Sequence, residues 1–258
     1  MKQIQSRDNP FFKLLKRLAE SGRERRKCGK TLLDGVHLIQ AYEAAVGKVD
    51  TLVVAESALH RDEISLLLAG RDAVVLSDVL MRDLGLVDTP SGILAVVAIP
   101  SVAARTDLAA DVVLLDGVQD PGNVGTLLRT AAASGVQHVL LSPGCASVWA
   151  PKVLRAGQGA HFVLKLYEDA DLAEFLANYP GTSVVTCLEE AGSLYDTSWS
   201  SPLAWIFGAE GKGVRPDLIR AAQLRVRIPM PGAIESLNVG AAAAICLYEA
   251  LRRRLAAA

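Results

Sequence analysis

Short apolar runs separated by helix-length segments dominate the second half of the chain. Each run is long enough for one strand and is apolar at half of its positions or more; the runs cover residues 112–117, 137–142, 162–166, 183–188, 203–207 and 224–228. Strands of this kind are typical of a parallel sheet that is buried on both faces. The pattern therefore predicts an α/β fold in which a mostly parallel sheet has helices on both faces.

The first hundred residues predict a second, smaller α/β unit. Asn9 and Pro10 are expected to open a basic amphipathic helix that ends near Glu20. Residues 30–44 have the pattern of a short strand, a glycine and a helix, and residues 61–68 have that of a helix. Further apolar runs of strand length cover residues 51–55, 73–76 and 93–98.

A segment with proline, serine and alanine separates these two patterns. It begins at Ile99 and is expected to be a linker over residues 99–108. We therefore predict an N-terminal domain over residues 1–98 and a larger C-terminal domain over residues 109–258.

The first unusual loop follows the apolar run at 112–117. Residues 120–122 predict a turn, and Asn123 is a candidate N-cap for a helix that ends before Gly135. Arg129 lies on this helix among apolar or small residues. Its guanidinium is expected either to pair with an acidic neighbour, which residue type alone favours, or to bind a phosphate.

A second unusual loop is rich in glycine. Gly208, Gly211 and Gly213 follow an apolar run, with Glu210 and Lys212 between them. Their spacing matches neither the dinucleotide-binding fingerprint nor the phosphate-binding P-loop. Taken alone, a plain glycine turn is the simpler interpretation.

The third loop follows the run at 224–228. Pro229 and Pro231 are expected to stop that strand, and Ser236 and Asn238 are candidate N-caps for a last helix. Each of the three loops alone can be explained by turns and caps. Together they place glycines and polar side chains just after strands of one sheet, which predicts a ligand site where those strands end.

The charge of the chain is unevenly distributed. Residues 1–30 contain ten Lys or Arg against three Asp or Glu, a net charge of +7, although the whole chain has a formal charge of -1. A basic segment on a neutral body indicates a polyanionic partner. A solvated helix face would give the same composition, and charge alone does not separate the two.

Cysteine usage and hydropathy predict a cytoplasmic protein. The four cysteines are scattered without Cys-x-x-Cys pairs and are expected to be free thiols in a reducing compartment; they are Cys28, Cys145, Cys187 and Cys246. No apolar run reaches the length of about 18 residues that a membrane span needs. The start of the chain lacks the apolar stretch of a secretory signal, and no metal site is predicted.

Three segments of the C-terminal half resemble the motifs of a known enzyme family. They are Asn123-x-Gly-x-x-x-Arg129-Thr-Ala, Phe207-Gly-Ala-Glu-Gly-Lys-Gly and Ile228-Pro-Met-x-Gly-x-x-x-Ser-Leu-Asn238-Val. In this order they are similar to the three motifs of the SpoU/TrmH family of RNA ribose 2′-O-methyltransferases.

The N-terminal domain resembles the L30e-like substrate-binding domain that many rRNA-modifying members carry. The segments that support this resemblance begin at Thr31 and Asp88. Asp34 stands where the family usually has Glu, and Ser91 stands where it usually has Gln.

The resemblance implies a fold and a chemistry that composition does not show. The implied fold is the deep trefoil knot of the SPOUT superfamily, an exception to the rule that chains are not threaded. The implied methyl donor is S-adenosylmethionine, the implied partner is RNA, and the implied assembly is a homodimer. The donor is expected to be bound by Leu188, Phe207, Gly208, Glu210, Gly211, Ile228, Met230, Ser236 and Leu237.

The resemblance also implies which side chains take part in catalysis. They are Arg129, Asn123, Glu210, Ser236 and Asn238. A guanidinium with a pKa above about 12 is a poor base. We therefore expect Arg129 to hold the target phosphate and to stabilise charge on the 2′-oxygen, while Asn123 and Glu210 position it.

Ribosomal RNA is favoured as the substrate because tRNA-specific relatives commonly lack the N-terminal domain; tRNA is the alternative. A rival from another class is an RNA-binding protein of the same fold without activity. A hydrolase is disfavoured because the four histidines lie outside the three loops; they are His37, His60, His138 and His161.

Overall fold

Two β-sheets organise the chain, and each belongs to a compact unit of its own. The computed structural model describes residues 1–87, 89–101 and 109–257. The first unit contains Met1–Ser101 together with Trp149–Phe162, and the second contains the other described residues. Asp88 and residues 102–108 of the expected linker lie outside the described residues.

The structure contains twelve strands and ten helices in the described part of the chain. The strands are β1 (Lys2–Ile4), β2 (Lys30–Asp34), β3 (Thr51–Ala55), β4 (Ala73–Leu76), β5 (Ile93–Ala98), β6 (Val112–Asp116), β7 (His138–Leu141), β8 (Lys165–Tyr167), β9 (Thr182–Thr186), β10 (Gly192–Ser193), β11 (Leu203–Gly208) and β12 (Leu224–Arg227). The helices are α1 (Pro10–Glu20), α2 (Gly22–Cys28), α3 (Val36–Ala45), α4 (Asp62–Leu68), α5 (Asp78–Asp83), α6 (Pro121–Ala133), α7 (Pro151–Gly157), α8 (Leu172–Asn178), α9 (Pro216–Ala221) and α10 (Val239–Ala257). Short 3₁₀ turns cover Glu56–Ala58 and Ala160–Phe162.

The first unit is the small α/β unit that the sequence predicts. Its sheet has the order β1-β4-β3-β5-β2, in which β1, β4 and β3 are parallel and β5 is antiparallel to both of its neighbours. Helix α1 begins where expected, because the Asn9 side chain accepts a hydrogen bond from the Phe11 N–H at 2.9 Å. The buried side chains of α1, Phe12, Leu15 and Leu18, are spaced to lie on one face of the helix.

Helix α7 belongs to the first unit, although its residues fall inside the predicted C-terminal domain at 109–258. The Thr31 hydroxyl donates to the Trp149 carbonyl at 2.7 Å, and Arg155 donates to the Asp34 carboxylate at 2.7 Å. The same carboxylate accepts hydrogen bonds from the Ser91 N–H and hydroxyl. Burial raises the pKa of Asp34 above its usual value of 3.8, despite the opposing effects of Ser91 and Arg155.

The second unit is built on a seven-stranded sheet in which every paired strand is parallel. Its order is β10-β12-β9-β11-β6-β7-β8. The two-residue strand β10 was not predicted, since a run so short carries no hydrophobic period. Strand β8 begins at Lys165 rather than at the predicted residue 162, because Phe162 lies in a 3₁₀ turn and packs edge-on against Tyr42 with ring centroids 5.3 Å apart.

Helices cover both faces of this sheet, as the alternation of strands and helices predicts. On one face, side chains of β6 and β11 pack with Leu172 of α8 and Leu218 of α9. On the other face, α10 contacts β11 and packs along α6. In the described part of the chain, no helix combines the length and the apolar content that a membrane crossing requires.

The end of α10 is fastened to the loop that precedes β11. The Arg253 guanidinium lies 3.8 Å from the centroid of the Trp199 ring and donates to the carbonyls of Leu194 and Thr197 at 2.8 and 2.6 Å. Glu249 accepts hydrogen bonds from Arg252 and Arg253. Those bonds lower the pKa of Glu249 from its usual value of 4.5 to about 2, with Arg252 making the largest contribution.

A carboxylate with a lowered pKa stabilises the folded state above the unfolded pKa, and this stabilisation is lost as the pH falls through the folded pKa. We therefore predict that Glu249→Gln lowers the free energy of unfolding by about 2 kcal/mol at pH 7. The deficit should shrink between pH 4.5 and about 2, where wild-type Glu249 takes up its proton. Denaturant unfolding across that pH range measures this difference in the free energy of unfolding. The control is Glu235→Gln, which changes an exposed glutamate. A deficit that is constant with pH would contradict the ion-pair account.

Candidate active site

Four loops meet where the central strands of the second sheet end. Strands β12, β9, β11 and β6 are neighbours in that order and run parallel, so their carboxyl ends share one edge. We call this the carboxyl edge. The three predicted motif loops follow β6, β11 and β12, and the segment with Leu188 follows β9. The topology therefore brings together the loops that the sequence singled out separately.

A chain of side-chain hydrogen bonds joins three of these loops. The Asn123 amide group donates to the Glu210 carboxylate, and the Asn238 amide group donates to the Asn123 carbonyl oxygen at 2.9 Å. Asn123 follows β6, Glu210 follows β11 and Asn238 follows β12. Three of the five side chains that the sequence predicts for catalysis thus lie in direct contact.

The cap of helix α6 differs from the prediction. Asp120, and not Asn123, is the N-cap: its carboxylate accepts from the Asn123 N–H at 2.8 Å, and Pro121 occupies the first helical turn. A proline at this position needs no hydrogen-bond partner for its nitrogen, so the helix starts earlier than predicted. Because Asp120 performs the capping, the Asn123 side chain remains available for Glu210 and Asn238.

Of the two candidate N-caps of helix α10, Asn238 caps the helix and Ser236 does not. The Asn238 side-chain oxygen accepts from the N–H groups of Gly240 and Ala241 at 2.9 and 3.3 Å, while Ser236 lies two residues earlier and is exposed. A Cβ atom at Gly240 would lie 2.9 Å from a methyl carbon of Thr126 on α6. The glycine therefore allows α10 to approach α6 closely, which places Asn238 beside Asn123.

The glycine-rich loop folds back on its own strand. Ala209 and Gly213 exchange two backbone hydrogen bonds of 3.1 and 2.8 Å. A Cβ atom at Gly208 would lie only 2.1 Å from the carbonyl carbon of Gly213, so only glycine fits at this position. Gly211 has a φ of +79°, which turns the chain at the tip of the loop beside the exposed Glu210.

A buried carboxylate that was not predicted anchors the far end of this loop. Asp116, at the end of β6, accepts hydrogen bonds from the Arg215 N–H and Nε at 2.8 and 3.0 Å, and from the Ser142 hydroxyl at 3.2 Å. The signal in the sequence was a single aspartate at the end of an otherwise apolar strand. Its partner is 99 positions away, so spacing could not reveal the contact.

Arg129 lies on α6 with its side chain exposed. In residues 1–87, 89–101 and 109–257, it makes no ion pair and no side-chain hydrogen bond. The structural ion pair that residue type alone favoured is therefore not formed within the described residues. The guanidinium is available to an anion from solution, in agreement with the alternative interpretation that Arg129 binds a phosphate.

The remaining candidate residues surround the carboxyl edge with apolar surface and backbone. Leu188 and Leu237 are 57% and 41% exposed, while Ile228 and Met230 are half-buried. The Phe207 side chain is fully buried in the sheet, so only its backbone can face a ligand. Exposed aliphatic side chains beside the free backbone groups of strand ends suit a flat, partly apolar ligand.

We predict that Gly208→Ala destabilises the second unit by at least about 3 kcal/mol, because the added carbon meets backbone that cannot move independently of the sheet. Gly232→Ala is the matched control: a Cβ atom there meets nothing within 4 Å, so its effect should stay within about 0.5 kcal/mol. Thermal and urea denaturation of both variants measure the difference. Equal stability of the two variants would refute the close crossing at Gly208.

Known proteins are similar to this chain both in sequence and in fold. Residues 111–248 match the family model of the SpoU rRNA methylase family, and residues 9–95 match that of the MRM3-like substrate-binding domain. The 23S rRNA (guanosine(2553)-2′-O)-methyltransferase RlmP of Bacillus subtilis is 34% identical over 255 residues, which are 96% of this chain and 98% of that protein.

Two solved structures extend the likeness over nearly the whole chain. The crystal structure of an RNA 2′-O ribose methyltransferase has a TM-score of 0.84 at 31% identity and covers 98% of this chain and 99% of its own. The SpoU methyltransferase AviRb of Streptomyces viridochromogenes, in complex with AdoMet, has a TM-score of 0.83 at 26% identity and covers 96% and 98%. This protein therefore belongs to the SpoU rRNA methylase family, as its three motifs predict.

Proposed function

We propose that this chain transfers a methyl group from S-adenosylmethionine to a ribose 2′-hydroxyl of ribosomal RNA. The observation that carries the proposal is the contact between Glu210, Asn123 and Asn238, one residue from each motif loop. Arg129, on the same helix as Asn123, is exposed and makes no ion pair with any residue that the structure describes. A protein that only bound RNA would have no use for this arrangement at the carboxyl edge. The membership of the chain in a family of rRNA methylases supports the same reaction.

The carboxyl edge fits the methyl donor. Leu188, Ile228, Met230 and Leu237 provide apolar contacts for an adenine ring. The backbone at Phe207, Gly208 and Gly211 can approach the donor closely, and Ser236 and Glu210 are exposed for its polar groups; these residues are the proposed donor site. When bound, S-adenosylmethionine supplies a methyl group that its positively charged sulfur already activates.

Catalysis then depends on alignment and on charge. The 2′-oxygen must lie in line with the methyl carbon and the sulfur, so that the new C–O bond forms as the C–S bond breaks. Arg129 holds the target phosphate with two parallel hydrogen bonds and stabilises the negative charge that develops on the 2′-oxygen. A guanidinium is a poor base, so the proton of the hydroxyl passes to that phosphate or to water.

The three polar loop residues position the site. The Glu210 carboxylate accepts from Asn123, which fixes the orientation of the Asn123 amide so that its oxygen faces Asn238. Since Asn238 also caps α10, the start of that helix is tied to α6 and to the glycine-rich loop. Ser236 lies on the connection between β12 and α10, and we assign it to the donor site and to the reaction centre.

Ribosomal RNA is the proposed substrate for two reasons. The N-terminal residues 9–95 match a substrate-binding domain, and the Bacillus subtilis relative that matches 96% of the chain is named for 23S rRNA. The four free cysteines fit the reducing cytoplasm, where ribosomes are assembled.

The trefoil knot is part of the same proposal, supported by the family and by the return of α10 against α6 at the carboxyl edge.

A homodimer is also part of the proposal, with a second copy of the chain as the occupant of one apolar face. The outward side of α10 carries Ala241, Tyr248 and Leu255, which are exposed, and Ala244 and Ile245, which are half-buried. Tyr248 and Leu255 are 49% and 70% exposed, so this side of α10 presents large apolar side chains to solvent while other residues of the helix pack against α6 and β11. Burial of this stripe against its own copy would form an isologous interface.

The function is tested by transfer of labelled methyl from S-adenosylmethionine to rRNA and tRNA pools from a strain that lacks this gene. Digestion of the labelled RNA then identifies the modified nucleotide. We expect a 2′-O-methylated nucleotide in rRNA. Label in tRNA alone would retain the chemistry and overturn the substrate, whereas absence of transfer together with donor and RNA binding would favour the RNA-binding protein.

We predict that Arg129→Lys lowers kcat by about 10- to 100-fold, because lysine keeps the charge but loses the two parallel hydrogen bonds, worth about 1.5–3 kcal/mol. Donor binding, measured by calorimetry, should be unchanged. Arg220→Lys is the control, since Arg220 is likewise an exposed arginine on a helix. Turnover of Arg129→Lys close to that of wild type would refute the assigned role.

For the dimer, we predict that Tyr248→Glu halves the mass seen by light scattering at micromolar concentration, because a charge would be buried at the interface. Leu66→Glu changes an exposed leucine on α4 in the same way and should leave the mass unaltered. A wild-type protein that is monomeric, or a Tyr248→Glu variant that remains dimeric, would contradict this assignment of the α10 face.

A further inference from the structure

The ten basic side chains in residues 1–30 are not equivalent in the structure. Five are paired with carboxylates at 2.5–3.8 Å; these are Arg7, Lys13, Lys16, Arg17 and Lys30. Arg25 is buried, and its guanidinium donates to the carbonyls of Leu18 and Ala19 at 2.8 and 3.2 Å. Most of the local excess of positive charge is therefore balanced or turned inward.

Helix α2 carries most of the remaining charge. Arg23, Arg26 and Lys27 are exposed, and among the described residues none of them is in an ion pair. They are three and four positions apart, so at about 100° per residue they lie within roughly 100° of each other around the helix. Arg25 lies on the opposite side, where it fastens the helix to α1. We call Arg23, Arg26 and Lys27 the α2 basic face.

The helix that presents this face is well defined at both ends. The Ser21 hydroxyl accepts from the Glu24 N–H at 3.2 Å, and Gly29 ends the helix with a φ of +61°. Cations in the last turn of a helix are favoured by its dipole, so Arg26 and Lys27 also stabilise α2. The two ends of α2 thus hold the α2 basic face in place.

The surroundings of the α2 basic face indicate the chemistry of its partner. No large apolar side chain is exposed between residues 2 and 45, all of which the structure describes. A protein interface would need an apolar centre, and a membrane-surface helix would need an exposed apolar face. On α1, Phe12, Leu15 and Leu18 are buried, and Phe11 and Leu14 are half-buried. A surface of clustered cations without apolar anchors matches a sugar–phosphate backbone.

We propose that the α2 basic face binds the phosphate backbone of the RNA substrate. This inference rests on the proposed function for the identity of the RNA. Contacts of this kind place and orient the RNA but carry no sequence information. The α2 basic face therefore contributes to affinity for every RNA that reaches it, and selection of the nucleotide lies elsewhere.

The test compares two triple variants that remove the same charge from adjacent helices. One is Arg23→Gln, Arg26→Gln, Lys27→Gln on α2; the matched control is Lys13→Gln, Lys16→Gln, Arg17→Gln on α1. Affinity for transcribed 23S rRNA is measured between 50 and about 300 mM KCl. Each phosphate contact contributes about 0.7–0.9 to the slope of log K against log salt concentration, so the α2 variant should lose about two units of slope.

The control variant should keep a slope within about half a unit of wild type, because paired cations release few counterions. A variant with Arg23→Lys and Arg26→Lys should also retain the wild-type slope, since charge and not fork geometry is required. An α2 variant with the wild-type slope, or an equal loss in both triple variants, would overturn the inference. Methyl transfer is assayed separately, so an inactive wild-type protein with a slope loss confined to the α2 variant would refute the proposed function alone.

Discussion

The active-site arrangement depends on one side chain that can both donate and accept. The Asn123 amide donates to Glu210 and accepts from Asn238, so three loops from three strands meet at a single residue. Aspartate could not donate, and a hydrocarbon side chain could do neither. Two local features leave the residue available for this purpose: Asp120 caps the helix in its place, and Gly208 lets the loop that carries Glu210 fold back onto its strand. Loss of any of these contacts would weaken the connection between the loops that form the site.

The last helix transmits this constraint to the rest of the second unit. At its start Asn238 is both the cap of α10 and a partner of Asn123, and Gly240 permits close packing on α6. At its end Arg253 stacks on Trp199 and binds three carbonyl groups of the preceding loop. Because α10 is held at both of its ends, the site residues at its start can keep the alignment that methyl transfer requires.

The first unit shows why residue type is a poor guide to charged surfaces. Its basic N-terminal segment has a net charge of +7, yet most of those cations are balanced by carboxylates or buried, and three of the remaining four lie on α2. The two departures from the family pattern, Asp34 and Ser91, are hydrogen-bonded to each other, and Asp34 also accepts from Arg155 of α7. Both side chains are shorter than the usual family residues, and both belong to this internal hydrogen-bond network. Because the Asp34 carboxylate is buried, the loss of one of its partners would be costly.

The sequence alone determined the α/β class, all six predicted C-terminal strands to within three residues, and the three motif loops. The fold class and the strands follow from the local period of apolar residues. The loops follow from prolines, glycines and polar residues that are close together in the chain. Tertiary structure alone decided the contacts that span long separations: Asp116 with Arg215, Asn123 with Glu210 and Asn238, and the placement of α7 in the first unit. Such contacts depend on which strand ends are neighbours in the sheet, and strand order leaves no trace in the period of any one strand.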